Sequence, residues 1–169
     1  DKPMLQIVLE QLIKYGFDEV IINIHYLGNQ IVDFLKQHNN LWVWLYDFDN
    51  NYNDSMIKAP WYSAFGQAVG IESLLLAYEI EKKEEYLKQA EKAAESFFVD
   101  LDKGGLCFKK GEDIWFEELP MPIHNPTHIL NGHMRSLIAL KKIYGATKND
   151  RYLDIYKKGL KTLENWMPL

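Results

Sequence analysis

Gly104-Gly105-Leu106-Cys107-Phe108, then Lys110-Gly111-Glu112, then Ile114-Trp115-Phe116-Glu117-Glu118-Leu119-Pro120 reads as a β-hairpin set between helical regions. Two β-rich apolar runs flank a turn that contains glycine, which is the hairpin pattern. Upstream, the chain becomes helical from Pro60. Residues 61–80 carry Phe65, Val69, Leu74, Leu75 and Tyr78 among their apolar positions, and a second helix is predicted over 84–98. Ala90, Ala93, Ala94 and Phe97 give that second helix a close-packing face, and its Glu and Lys residues form a solvated one. Downstream, two more helices are predicted at about 127–144 and 150–165, with a break near Gly145. The order is helix pair, hairpin, helix pair, and the expected fold is mainly α.

Before this region the character changes. Leu41-Trp42-Val43-Trp44-Leu45 reads as a strand, and Asp47 to Ser55 as a polar loop rich in Asn and Asp. Such a loop suggests calcium, but it lacks the glycine and distal glutamate of an EF-hand loop, so a plain surface loop is the expectation. Residues 3–38 read as helix, strand, helix. Pro3 suits a first helical turn, Leu5, Val8, Leu9, Leu12 and Ile13 recur at helical spacing, and Gly16 stands where a helix ends. Val20-Ile21-Ile22-Asn23-Ile24 is an apolar strand pattern; Asn29 is placed to cap a helix with Ile31, Val32 and Leu35 inside.

The chain has 169 residues, enough for one domain or two small ones, and 47% apolar with 25% charged residues is ordinary for a globular protein. The net charge of −5 comes without a cluster of Lys and Arg, so nucleic acid has no electrostatic footprint as a partner. No apolar run reaches membrane-spanning length, so a membrane is not an expected partner either. The single cysteine, Cys107, excludes an internal disulfide and fits a reducing compartment, so a cytoplasmic location is expected. Aromatics at 14% suit a sugar-binding surface as well as a well-filled core.

Glu117 and Glu118 are the chemically loaded residues. Two adjacent carboxylates repel, and Trp115 and Phe116 beside them reduce solvation. Both effects raise a carboxyl pKa, which is how a general acid or base is made. The bland reading is a strand end whose glutamates face water. His124, His128 and His133 lie close in sequence, but their spacing is no zinc signature, and neither a metal nor another cofactor is expected.

Several motifs together resemble the C-terminal domain of the D-glucuronyl C5-epimerases. They are Ala59-Pro60-Trp61-Tyr62-Ser63-Ala64-Phe65-Gly66-Gln67-Ala68, Gly104-Gly105, the Trp-aromatic-Glu-Glu-x-Pro run at 115–120, Ile129-Leu130-Asn131-Gly132, and Gly159-Leu160 with Leu163. The match covers about residues 39–169. It implies an (α/α) toroid, a ring of helix pairs with its site at one end. It also implies inversion of carbon 5 of glucuronate to iduronate within a polysaccharide. Residues 1–38 are different. Lys2-Pro3-Met4-Leu5, Tyr15-Gly16-Phe17 and Ile22-Asn23-Ile24-His25-Tyr26-Leu27 resemble an internal piece of the sugar-nucleotide nucleotidyltransferases. That family's Gly-rich nucleotide-binding signature and metal-binding aspartates are absent, so no nucleotidyl transfer is inferred; a fused or remnant unit accounts for the likeness.

Epimerisation needs a base on one face of carbon 5, an acid on the other, and donors or positive charge at the substrate carboxylate. The resemblance makes Glu117 and Glu118 the acid/base candidates. In the epimerases a catalytic Tyr follows the second Glu, and here that position is Leu119; a second family Tyr falls on Arg135. Arg is a poor base but pairs well with a carboxylate. His133 is the replacement acid/base candidate beside Glu118. Trp61, Tyr62, Gln67, Trp115, Asn131 and Arg135 are the expected substrate contacts, with a core anchor the alternative for Trp61 and a helix start the alternative for Asn131-Gly132. About two helix pairs are present where a closed ring needs more, so the chain is expected to be a truncated segment. The expected architecture is a partial (α/α) toroid with an inserted β-hairpin (39–169), preceded by a small αβα unit (1–38). The expected partner is a uronate-containing polysaccharide, and self-association into a homo-oligomer stays open. The alternatives are a non-catalytic glycan-binding or scaffold module, favoured by Leu119 and Arg135, and a fragment of a nucleotidyltransferase fusion.

Overall fold

The computed structural model describes residues 27–53, 55–121 and 125–167, together with 11 and 14–16. In chain order the elements are α1 (Leu27–Phe34), β1 (Leu35–His38), β2 (Leu41–Trp44), β3 (Asn50–Tyr52), β4 (Ser55–Ile57), α2 (Ala64–Glu81), α3 (Glu84–Ala94), β5 (Cys107–Lys110), β6 (Asp113–Phe116), α4 (Leu130–Thr147) and α5 (Asp150–Trp166). The strands form antiparallel pairs β1–β2, β3–β4 and β5–β6. The described chain is mainly α, as the sequence predicts.

Helix α2 is the centre. Ser63 caps it, its Oγ accepting from the Gly66 N–H at 2.8 Å, and Lys82 ends it at φ +56 with its N–H on the Tyr78 carbonyl at 2.9 Å. Helix α3 doubles back against α2, with Glu84 and Glu85 in its first turn and Lys92 in its last, the charge order that the helix dipole favours. Ala90, Ala93 and Ala94 are fully buried, and three methyl-sized side chains let the two backbones approach closely. Helices α4 and α5 form the second hairpin. The two first helices, α2 and α4, pack on each other and run parallel: Ser136 bonds the Ala64 carbonyl at 3.4 Å near one end, and Lys142 reaches Glu72 at 2.6 Å further along. Ile71 and Leu74 of α2, Leu140 and Ile143 of α4, Phe97, Leu106 and Phe116 fill the core between them.

The β-hairpin between the helix pairs forms as expected, with Gly111 at φ +64 in its turn. It seats on α5: Ile114 N–H donates to Thr162 Oγ1 at 2.9 Å, and Trp166 Nε1 donates to Asp113 at 2.8 Å.

Four expectations change. The break near Gly145 is not there; Gly145 lies inside α4, and the helix ends at Lys148 (φ +57), after which Asn149 caps α5 through the Arg151 N–H. The Asp47–Ser55 loop contains a short ribbon, β3–β4, and the Asp49 carboxylate is spent on Lys58 (2.6 Å) and the Ala59 N–H (3.0 Å). Asn29 is inside α1, not at its cap, and accepts from the Tyr86 hydroxyl at 2.9 Å. Leu35 leaves the helix to begin β1, because it pairs with Trp44 in the ribbon. The division drawn between residues 38 and 39 therefore falls in the β1–β2 turn, where Asn39 (φ +48) and Asn40 (φ +63) give the two left-handed residues that a tight hairpin wants. The strand expected at 20–24 and most of the helix expected before Gly16 lie outside the described residues; Gly16 itself takes φ +88, after a helical bond from Tyr15 N–H to the Gln11 carbonyl.

Candidate functional site

The stretch after β6 sends successive side chains in different directions. Glu117 is fully buried. Its Oε2 accepts from the Thr127 N–H (3.2 Å), the Thr127 hydroxyl (2.8 Å) and the His128 N–H (3.0 Å), and its Oε1 stands 2.6 Å from His128 Nδ1. His128 takes φ +47 to make this possible, and its ring sits among Phe108, Trp115 and Trp166. Three hydrogen bonds on Oε2 and the close His128 ring at Oε1 hold the 127–128 loop in place and keep this fully buried carboxylate away from any open surface.

Glu118 points to the other side, onto the start of α4. A Cβ at Gly132 would lie 2.7 Å from the Glu118 Cβ and 2.9 Å from its Oε2, so only glycine admits this contact. Ile129, at the N-cap, offers α4 no side-chain cap, and the Glu118 carboxyl occupies that end instead, next to the Gly132 N–H. Burial raises the Glu118 pKa, and the Gly132 N–H works against that rise without cancelling it. Among the described residues no cation stands within ion-pair distance of Glu118. It is a half-buried carboxyl with an elevated pKa at the positive end of a helix, which is the chemistry of a general acid or base.

The other expected contacts scatter. Trp61 and Tyr62 line a cavity of about 670 Å³ with His38, Lys58, Pro120 and Met121, and neither Glu117 nor Glu118 lines it. Trp61, expected as a substrate contact, and the two acid/base candidates therefore do not share this cavity. Trp61 is a core anchor, bonding the Phe48 carbonyl through Nε1 at 2.8 Å and packing with Ile57, Leu119 and Met121. Burial pushes the Tyr62 hydroxyl up to about 12. Gln67 is fully buried and structural: its Oε1 accepts from Trp44 N–H at 2.9 Å, and its Nε2 faces the Trp42 and Ala93 carbonyls and Ser96 Oγ. Trp115 is sandwiched between His133 (4.2 Å) and Trp166 (5.4 Å), closed to any sugar.

His133 is fully buried with both nitrogens committed, Nδ1 accepting from Phe116 N–H at 3.0 Å and Nε2 facing the Gly159 carbonyl at 3.1 Å. Burial pulls its pKa down to about 4. A neutral ring with no free nitrogen cannot shuttle protons to a substrate, so His133 is corrected from acid/base candidate to core residue. His124 lies outside the described residues, and among the described residues no group of three His, Cys, Asp or Glu could hold a metal.

Asn131 and Arg135 remain. Asn131 is exposed in the first turn of α4, beside the Gly132 that carries Glu118. Arg135, one turn on, lies with Nε 2.8 Å from Glu72 Oε1, and Lys142 Nζ reaches Glu72 Oε2 at 2.6 Å. Sequence reasoning missed Thr127, Lys142 and Glu72, and weighed His128 only as a metal ligand. For Glu72 a signal exists: it is the one charged residue between Ala64 and Tyr78.

Residues 37–169 match the family model described as the D-glucuronyl C5-epimerase C-terminus. The chain belongs to this family. Among curated proteins, an uncharacterized protein of Methanocaldococcus jannaschii is 33% identical over 132 residues, covering 75% of this chain and 41% of that protein. A D-glucuronyl C5-epimerase of Caenorhabditis elegans is 28% identical over 149 residues, covering 80% of this chain and 24% of that enzyme. The chain thus spans less than half the length of both relatives. Within this epimerase family domain, the segment 117–121 and the N-terminal ends of α2 and α4 lie together: Ala64 N–H bonds the Glu117 carbonyl at 3.1 Å, and Glu118 rests on Gly132. Among the described residues no helix is long and apolar enough to cross a membrane.

Proposed function

We propose that this epimerase-like domain acts on glucuronate within a polysaccharide, with Glu118 as one of the two groups that exchange the proton at carbon 5. The observation that carries the proposal is the Glu118 carboxyl: raised in pKa by burial, unpaired with any cation among the described residues, and set at the N-terminus of α4 beside exposed Asn131. In the reaction a base takes the carbon 5 proton, the electron pair spreads into the sugar's carboxylate, and an acid returns a proton to the opposite face. The packing of α2 on α4, each with its partner helix outside, supports an arc of an (α/α) toroid as the architecture. The proposal keeps the nucleotidyltransferase likeness of residues 1–38 as one of sequence, since 27–38 pair with β2 and pack on α2. A reducing, cytoplasmic setting is kept in the proposal on the single cysteine of the chain, Cys107.

A second reading, a glycan-binding module without turnover, is favoured by two positions. Leu119 stands where the resemblance places a catalytic Tyr and is buried against Trp61, and Arg135, at the other Tyr position, is ion-paired to Glu72. Incubating the protein with a glucuronan in heavy water separates the two. Deuterium appearing at carbon 5, and falling about 100-fold or more in Glu118→Gln, supports epimerisation. Retained binding with no deuterium in the wild type supports the module.

A further inference from the structure

The groove between α2 and α4 carries more positive charge than its buried carboxylate needs. Glu72 is buried in the middle of α2, its side chain 8% exposed. A carboxylate there must be paired, and one well-placed cation is enough. Two are supplied, Lys142 and Arg135. Lys142 makes the hydrogen bond, at 2.6 Å. Arg135 does not: its Nε is 2.8 Å from Glu72 Oε1, but the N–H is off line, and neither Nη group donates to any described residue. The guanidinium is held by charge while its planar fork of donors stays unspent, and that fork matches a carboxylate or sulfate.

Beside it lies a cavity of about 660 Å³ lined by Glu72, Arg135, Lys142, Val69 and Leu76. Its size is that of an ordinary small-ligand site. Glu79 lines it too, seven residues beyond Glu72 on α2, which is roughly 10 Å further along the axis. Both cations close on the Glu72 carboxylate, Glu79 stands apart from it, and the open donors of Arg135 are the groups that can receive an anion. On α4 itself Gly132, on which Glu118 rests, precedes Arg135 by three residues, or roughly 4.5 Å of helix.

We propose that the Arg135 end of the α2–α4 groove is an anion subsite for the carboxylate or sulfate of an acidic saccharide, with Glu72 and Lys142 as positioning residues. The subsite deepens the uronate reading above and rests on it. It selects acidic over neutral saccharides, because only an anion adds a charged acceptor to the open donors of Arg135.

The test is a proton–nitrogen NMR titration of the intact protein, followed at the Arg135 Nε–Hε signal. The probes are methyl β-D-glucuronide, methyl β-D-glucoside and sodium sulfate. The glucuronide is expected to shift the signal and the glucoside to leave it in place. Arg135→Lys is expected to weaken glucuronide binding about tenfold, the equivalent of roughly 1.4 kcal/mol. Lys142→Gln, a change at a half-exposed residue, is expected to move the Arg135 signal in the free protein and to weaken the anion by a smaller factor. A shift with sulfate but not glucuronide assigns the subsite to a sulfate group; the reverse assigns it to a uronate. An Arg135 signal that no anion moves, or that the glucoside moves equally, overturns the proposal. Its failure is separable from that of the epimerase reading. Carbon 5 exchange that persists with unchanged KM in Arg135→Lys removes the subsite alone, and glucuronide binding at Arg135 without exchange removes the inversion alone.

Discussion

His133 gives both ring nitrogens to the backbone and sits stacked on Trp115 and Phe116, and burial depresses its pKa to about 4 from 6.5. Between those values the unfolded chain binds a proton that the folded one refuses. Stability from this group is therefore complete above pH 6.5 and is lost as pH falls toward 4, by about 1.4 kcal/mol per pH unit and about 3 kcal/mol in all. Urea unfolding of the wild type and His133→Gln at pH 4.5 and 7 checks this: the difference in stability between the two proteins should shrink at the lower pH. A difference that stays constant would mean that His133 titrates normally in the fold. The sequence placed a histidine here and suggested chemistry, but the backbone partners that neutralise it come from β6 and α5, 17 and 26 residues away. Glu118 was legible as a carboxyl of raised pKa from its aromatic neighbours. Glu117, with the same neighbours, was not separable from it, since alternate residues of a strand face opposite sides and the partner of each side is set elsewhere.

At the scale of elements, the helical periods and the hairpin were readable because they depend on local spacing. The end of α4 was not: Gly145 is a weak helix former by propensity, yet the packed helix runs through it, and Lys148 carries the left-handed turn instead. Gln67 shows what joins elements. One buried amide ties β2 to α2 and to the end of α3, facing Trp44 N–H, Trp42 and Ala93 carbonyls and Ser96. Gly70 lets the Trp44 ring lie on α2, where a Cβ would come within 2.5 Å of it. Gln67→Leu should cost about 3 kcal/mol, because it strands buried donors and acceptors while keeping the volume. Denaturant melts of the variant measure it, and a loss under about 1 kcal/mol would show that β2 docks by its apolar side chains alone.

At the scale of the whole molecule, α2 and α4 lie side by side with a common direction and present Leu76, Ile80, Met134 and Ile138 to the exterior, with exposures of 56%, 49%, 47% and 43%. Exposed apolar side chains on both helices favour association with another apolar surface. The 169-residue chain should sediment with a concentration-dependent mass, and Leu76→Glu combined with Ile138→Lys should reduce that dependence without lowering the melting temperature by more than a few degrees. Monomeric sedimentation of the wild type at all concentrations would contradict this.

The sequence by itself determined the mainly α class, the hairpin between two helix pairs and the epimerase family, because periodicity, turn chemistry and ordered motifs are properties of the chain read locally. Only the tertiary structure decided which charged side chains are spent and which are free. Glu117 and His133 close on distant backbone groups, whereas Glu118 and the donors of Arg135 stay open, and a charge is silenced or kept by what folds against it.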